Sequence, residues 1–163
     1  MKSERQKVFD YLSEMNIICD IVEHPAVYTI DDMDNLHIDT DNQVVKNLFV
    51  RDDKKKRFFL ISVQKDKRVD LKDLRVKLDS RPLSFASEGA LQEILGLDKG
   101  AVTPLGILND ANCIVEVVLD NDVRNFHHIG IHPNDNTATV WIKPKDLEAV
   151  IKKHGNILSY VEI

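Results

Sequence analysis

Nothing in this chain reads as a membrane anchor, a secretion signal or a disulfide scaffold. Across its 163 residues no segment offers the roughly 20 consecutive apolar residues that a spanning helix needs. The opening Met1-Lys2-Ser3-Glu4-Arg5-Gln6-Lys7 leads into an amphipathic pattern rather than the apolar run of a signal peptide, so the expected location is the cytosol. Cys19 and Cys113 are the two cysteines. They lie far apart, without CxxC or Cys/His ligand spacing, and read as buried thiols rather than as a disulfide, a metal site or a nucleophile. Also missing are the GxSxG elbow, the phosphate-binding GxxxxGK[ST], the dinucleotide GxGxxG and HExxH, which leaves serine-hydrolase, nucleotide and zinc-protease readings without support. His127, His128 and His132 are close in sequence, but their stretch ends in Pro133 and no helix gathers them on one face. No metal and no cofactor is therefore assigned.

What is present suits one globular unit. With 43% apolar and 30% charged residues, the chain can bury a sizeable core. It has no repeat, low-complexity tract or linker, so residues 1–163 are expected to form a single domain. A net charge of −5 argues against wholesale binding of nucleic acid, which needs many cations to neutralise phosphates. Locally the balance reverses: Lys54, Lys55, Lys56, Arg57, Lys65, Lys67, Arg68, Lys72, Arg75 and Lys77 crowd the stretch between Arg51 and Arg81. A solvated face and a nucleic-acid footprint both fit that run.

Periodicity alternates helices with short strands. Ser3-x-x-Gln6 is a capping-box spacing, and Val8, Leu12 and Met15 predict a helix to about Asn16, followed by a strand over 17–22. One or two helical turns are expected over 31–36 and a polar loop over 39–43. Val44 to Val50 and Phe58 to Val63 form a hairpin pattern around a long basic turn. Asp70 caps a helix carrying Leu71, Leu74 and Leu78, and Ser87 caps another that runs through Leu95 and stops at Gly96. Strands are expected over 113–119 and 137–142, then a helix opened by Pro144 and stopped at His154-Gly155, and a last strand over 157–161. Without a βαβ rhythm, this predicts an α+β fold with a mixed, largely antiparallel sheet flanked by helices. Phe49, Phe58, Phe59 and Phe85 fit the strand pattern as core, and none is assigned to base stacking.

One turn stands apart. Gly100-Ala101-Val102-Thr103-Pro104 sits between a predicted helix and an apolar run, where glycine permits close backbone approach and proline stiffens the loop so that free N–H groups can face a ligand. Alone it is an ordinary turn. Its company is Lys46-Asn47-Leu48-Phe49-Val50-Arg51-Asp52 and Ile131-His132-Pro133-Asn134-Asp135-Asn136-Thr137. In this order and spacing, with Arg81-Pro82-Leu83-Ser84-Phe85-Ala86-Ser87 before the loop, the strings resemble the freestanding YbaK/ProX-type deacylases. Those are relatives of the editing insertion domain of bacterial prolyl-tRNA synthetase, and the resemblance extends over essentially the whole chain.

The resemblance implies hydrolysis of an amino acid wrongly esterified to the 3′ end of proline tRNA, and it is nearest to the branch that removes alanine. By the same resemblance, Lys46, Gly100 and His132 are the catalytic candidates, with Asn47, Ala101, Val102, Thr103, Pro104 and Asp135 lining the substrate. Lys54, Lys55, Lys56, Arg57 and Arg81 are candidates for the tRNA acceptor stem. The implied partners are the acceptor end of mischarged proline tRNA and prolyl-tRNA synthetase, with no membrane and no DNA, the chain working as a monomer. Three alternatives stay open: removal of cysteine from the same tRNA, a noncatalytic tRNA-binding or regulatory homologue, and a protein that binds a free amino acid.

Overall fold

A computed structural model describes residues 2–26 and 44–163; the turns expected over 31–36 and the loop over 39–43 lie outside these. The first helix, α1 (Glu4–Glu14), begins where the capping spacing puts it, with Ser3 Oγ accepting the Gln6 N–H at 3.2 Å. It buries Val8 and Leu12. Asn16, in the left-handed region at φ 58°, turns the chain, and the Ile17 N–H still bonds back to Leu12 at 3.0 Å. Strand β1 (Asp20–Glu23) therefore starts three residues later than the apolar run suggests, and Ile18 is left 89% exposed.

Two sheets follow. Strands β2 (Val45–Asp52), β3 (Phe58–Gln64), β4 (Leu83–Phe85), β5 (Val115–Asp120) and β8 (Leu158–Val161) form a five-stranded sheet in the order β4-β2-β3-β5-β8. Its β4-β2-β3 half is antiparallel and its β3-β5-β8 half parallel. Strand β1 joins β6 (Ile129–Ile131) and β7 (Ala138–Ile142) in an antiparallel sheet ordered β1-β7-β6. A parallel bridge between Val44 and Gly130 links the two sheets at the head of β2. The mixed pairing matches the expected α+β class, divided over two sheets instead of one. Strands β4 and β6, three residues each, are too short to show a period in the sequence.

Both faces of the larger sheet are covered, which is why β3 reads as an unbroken apolar run. On one face α2 (Leu71–Lys77) packs Leu74 against Val50, Phe59, Ile61, Val63 and Val118. On the other, α1, α3 (Glu88–Leu95) and α4 (Pro144–His154) enclose the main core with Val45, Phe49, Leu60, Val117 and Leu119. The helix ends follow their sequence signals: Asp70 Oδ1 accepts from Lys72 N at 2.9 Å, Ser87 Oγ accepts from Ala90 N at 3.0 Å, and Gly96 and Gly155 are left-handed. None of the described helices is long and apolar enough to cross a membrane.

The predicted strand over 113–119 begins two residues later because Cys113 is left-handed, at φ 52°, and closes a turn onto the Asp110 carbonyl at 3.0 Å. Asp110, 3% exposed, ties this turn to the sheet. Its carboxylate accepts from Ile114 N at 3.2 Å, Val115 N at 2.9 Å and Asn156 Nδ2 at 2.9 Å. Removing it takes the acceptor from all three donors, so Asp110→Ala is expected to cost about 3 kcal/mol. Urea unfolding of this variant beside Glu93→Ala, an exposed control, checks that figure.

Candidate functional site

The turn Gly100–Pro104 folds into the protein rather than over its surface. Ala101, Thr103 and Pro104 are buried and Gly100 and Val102 are half-buried. Lys99–Ala101 makes one 3₁₀ turn, the chain extends through Val102 and Thr103, and Pro104 opens a second 3₁₀ stretch, Pro104–Asn109. Buried backbone must find partners, and much of this loop finds them within itself. Ala101 N–H bonds to Asp98 O at 2.9 Å, Gly106 N–H to Thr103 O at 3.0 Å, and Leu105 N–H to Thr103 Oγ1 at 3.3 Å. These amides are spent on the loop's own shape. Gly100 is not among the left-handed glycines, so a positive φ is not what requires glycine there.

Two further hydrogen bonds bring the three sequence strings together. Asn47 Nδ2 donates to Val102 O at 3.1 Å, and Thr103 Oγ1 donates to His132 O at 2.7 Å. Asn47 is itself held from the neighbouring strand, because Ser62 Oγ donates to Asn47 Oδ1 at 2.5 Å. The loop is thus pinned on one side to β2 and on the other to the end of β6.

Lys46 and Asn47 part company here. Residues opposite one another in an antiparallel pair share a face, and the register sets Asn47 against Ser62 and Lys46 against Val63. Asn47 therefore lies on the face of Val45, Phe49 and Leu60, toward the loop. Lys46 lies on the other, with Leu48, Val50 and Val63. Lys46 is half-buried and has no ion pair among the described residues.

His132 is half-buried where β6 ends. Its Nδ1 faces the Ala138 carbonyl at 2.9 Å. A carbonyl only accepts, so Nδ1 carries the proton and Nε2 of the neutral ring is left with a lone pair. Burial pushes its pKa below the ordinary histidine value; the Ala138 bond opposes this, and nearby His24 adds to the lowering. The His24 ring stands edge-on to His132 with centroids 6.1 Å apart, its Nε2 2.8 Å from Thr139 Oγ1. In the turn that follows, Asn134 is left-handed (φ 58°) and donates to Leu105 O at 3.3 Å. Asp135 accepts from Thr137 N at 2.7 Å and from the Thr137 hydroxyl. Burial raises the Asp135 carboxyl, and the Thr137 bonds with help from Arg5 outweigh it, so the group stays below the usual carboxylate range. The carboxylate is occupied as turn chemistry.

Residues 24–150 match the family model described as the aminoacyl-tRNA editing domain. This chain belongs to the aminoacyl-tRNA editing domain family. It is 43% identical to the prolyl-tRNA editing protein ProX of Acetoanaerobium sticklandii, over 98% of this chain and 97% of that one. It is 37% identical to prolyl-tRNA synthetase associated domain-containing protein 1 of Danio rerio, over 88% of this chain and 78% of that one. In fold, it superposes with a TM-score of 0.74 and 21% identity on the crystal structure of a candidate trans-editing enzyme for prolyl-tRNA synthetase, covering 100% of this chain and 99% of the other.

Two of the cations expected to meet RNA in this editing domain are already engaged. Arg57 makes a two-pronged pair with Glu116 at 2.9 and 3.0 Å, donates to Asp79 O and stacks over Phe59 at 4.8 Å. Arg81 grips Asp53 through Nε at 2.5 Å and Nη2 at 3.0 Å, although it is exposed. Lys54, Lys55 and Lys56 project from the β2–β3 turn without ion pairs among the described residues. The turn is shaped by Asp52, whose Oδ1 accepts from Lys56 N at 2.8 Å and Arg57 N at 3.3 Å.

Sequence reasoning passed over His24 and Ser62. Ser62, 1% exposed, is the one hydroxyl inside the apolar run of β3, and a buried hydroxyl needs a partner; that was a usable signal. His24 offered none, since its approach to His132 depends on β1 pairing with β7.

The buried, neutral His132 carries a pH signature. Its folded pKa lies below the unfolded value of about 6.5, so as pH falls through that value the unfolded chain takes up the proton first. The stability it contributes is complete above the unfolded pKa and is lost as pH drops toward the folded one. Urea midpoints at pH 7.5 and 5.5 should therefore fall further for the wild type than for His132→Gln. Equal falls would show that His132 titrates normally.

Proposed function

We propose that this editing domain hydrolyses the aminoacyl ester of mischarged proline tRNA in trans, and that alanine is the amino acid it removes. The observation carrying this reading is the pair of hydrogen bonds that pins the Gly100–Pro104 loop between Asn47 and His132, in a chain with near full-length similarity to a prolyl-tRNA editing protein. An aminoacyl ester is already activated. Holding it beside a water molecule and oriented polar groups lowers the barrier without a covalent intermediate, which suits a site with no serine or cysteine nucleophile in the loop. The task has a physical motive: a missing methylene discriminates by only about 1–3 kcal/mol, so a synthetase gains fidelity from a second site that accepts the smaller residue.

In this reading each residue has a role. Asn47 positions the loop, since both ends of its amide are bonded. Lys46, with no ion pair among the described residues, supplies a cation for the phosphate or ester region of the terminal nucleotide. Neutral His132 offers Nε2 as an acceptor for a water or a ribose hydroxyl. Gly100 and Ala101 form the wall, while Thr103 and Pro104 hold it in place. In this reading, residues 1–163 are one editing domain acting as a cytosolic monomer on the product of prolyl-tRNA synthetase.

Deacylation of purified proline tRNA charged with alanine, cysteine or proline tests the proposal. Alanine should be released fastest and proline spared. Preferred release of cysteine would reassign the pocket, and no release from any of the three would remove the enzymatic reading. Lys46→Ala should lower kcat/KM by about a hundredfold, the scale seen when one oriented charge-stabilising group is lost, with its melting temperature nearly unchanged. Undiminished turnover would take Lys46 out of the mechanism.

A further inference from the structure

Strand β2 has an interrupted edge. Strand β4 pairs with it over Val50–Asp52, and Ala86 N–H reaches Phe49 O at 2.9 Å. At the other end, Val44 bridges to Gly130 of β6. Between them the edge is open among the described residues. Residue-by-residue alternation turns the main-chain groups of Lys46 and Leu48 toward β3 and those of Asn47 and Phe49 toward this notch. The Asn47 C=O and the Phe49 N–H, an acceptor and a donor side by side, have no partner among the described residues.

A cavity of about 430 Å³ opens at the notch, lined by Asn47, Phe49, Phe85, Leu91, Lys99 and Val102 among others. Phe85 is 61% exposed, contrary to the expectation that it belongs to the core. It is the last residue of an edge strand three residues long and stands opposite Val50, on the face that also carries Leu48 and Lys46. Leu91 and Val102 pack with the opposite core. The cavity thus has an aromatic wall on one side of the sheet plane and an aliphatic wall on the other. Lys99 is exposed with no ion pair among the described residues.

We infer that this notch seats the adenine of the tRNA's terminal adenosine, sandwiched between Phe85 and the Leu91–Val102 wall and read by the edge of β2. Adenine presents a donor amino group beside an acceptor ring nitrogen, the complement of the Asn47 C=O and Phe49 N–H. Stacking fills the slot, and Lys99 meets the neighbouring phosphate. Asn47 and Val102 line the notch and are also the two ends of the hydrogen bond that pins the loop, so a base seated here delivers its ribose and ester to the site beside it. This inference rests on the deacylase reading for its substrate, while the adenine seat is tested separately.

The probes are the trinucleotide CCA and its counterpart ending in inosine, whose ring presents an acceptor and a donor in the reverse order. In NMR titrations of the full chain, CCA should move the Phe49 amide and the Phe85 ring resonances, and the inosine trinucleotide should bind at least about tenfold more weakly, the scale of one mismatched base edge. Equal affinity for the two, or an unmoved Phe49 amide, would overturn the seat. In turnover, Phe85→Ala should raise KM for charged proline tRNA about tenfold with kcat nearly unchanged, in line with the loss of one stacked base, and Phe85→Trp should restore it. An unchanged KM in Phe85→Ala, with an active wild type, overturns this inference and leaves the deacylase reading standing. A wild type that binds CCA with the predicted selectivity but hydrolyses nothing overturns the deacylase reading and leaves the seat.

Discussion

The site depends on burying a loop. Burying backbone polar groups without partners costs more than any single apolar neighbour returns, so the Gly100–Pro104 segment can lie inside the protein only if its carbonyls and amides are answered. The loop answers several itself. The Val102 carbonyl and the Thr103 hydroxyl are answered from elsewhere, by Asn47 and by the His132 backbone. Those two bonds set the position of the loop relative to both sheets. They also bring segments far apart in sequence together around the loop, since Asn47 and the His132 backbone are the groups that satisfy it.

Strand β2 makes this arrangement possible by working in three directions. One face delivers Asn47 to the loop, the other carries Lys46 beside Leu48, and the edge between β4 and β6 is left unpaired among the described residues. An open edge is usually a hazard that invites another strand. Here the open stretch is short, it lies among the described residues between the Val44 bridge and the β4 pairing from Val50, and α3 and Phe85 stand over it. Such a gap is too short for β-augmentation and the right size for a flat ring.

Much of this was readable from sequence, and the reasons differ by element. Ser3, Asp70, Ser87, Gly96, Pro144 and Gly155 marked helix ends because capping is local chemistry, decided within about three or four residues. The paired runs of β2 and β3 were clear because hairpin neighbours share a turn. The strings around Asn47, Thr103 and His132 were tied together by the resemblance their ordered set carries, and two hydrogen bonds join them in space. What stayed hidden was decided between distant segments. The division of the strands into two sheets rests on β1 pairing across the chain with β7, and the exposure of Phe85 on the shortness of β4. The opposite facing of Lys46 and Asn47 follows from a pleat that the string Lys46-Asn47 already implies, but which face meets the loop is a tertiary fact. In the basic third of the chain, too, a distant residue decides: Arg57 is anchored to Glu116, 59 positions away.

That redistribution of charge bears on how RNA is held. With a net charge of −5, the protein closes Arg57 and Arg81 onto carboxylates, while Lys54, Lys55 and Lys56 on the β2–β3 turn and Lys99 at the notch have no ion pair among the described residues. Every phosphate that a cation neutralises steepens the salt dependence of binding by about one counterion, so each arginine closed onto a carboxylate takes one such contact out of the footprint that the basic run suggests. An editing enzyme working in trans must release correctly charged tRNA to the translation machinery, and discrimination then rests on what happens at the terminal nucleotide and its ester. The pre-organised groups of this structure, a buried loop, a neutral histidine and the short open edge of β2, are the ones proposed to meet them.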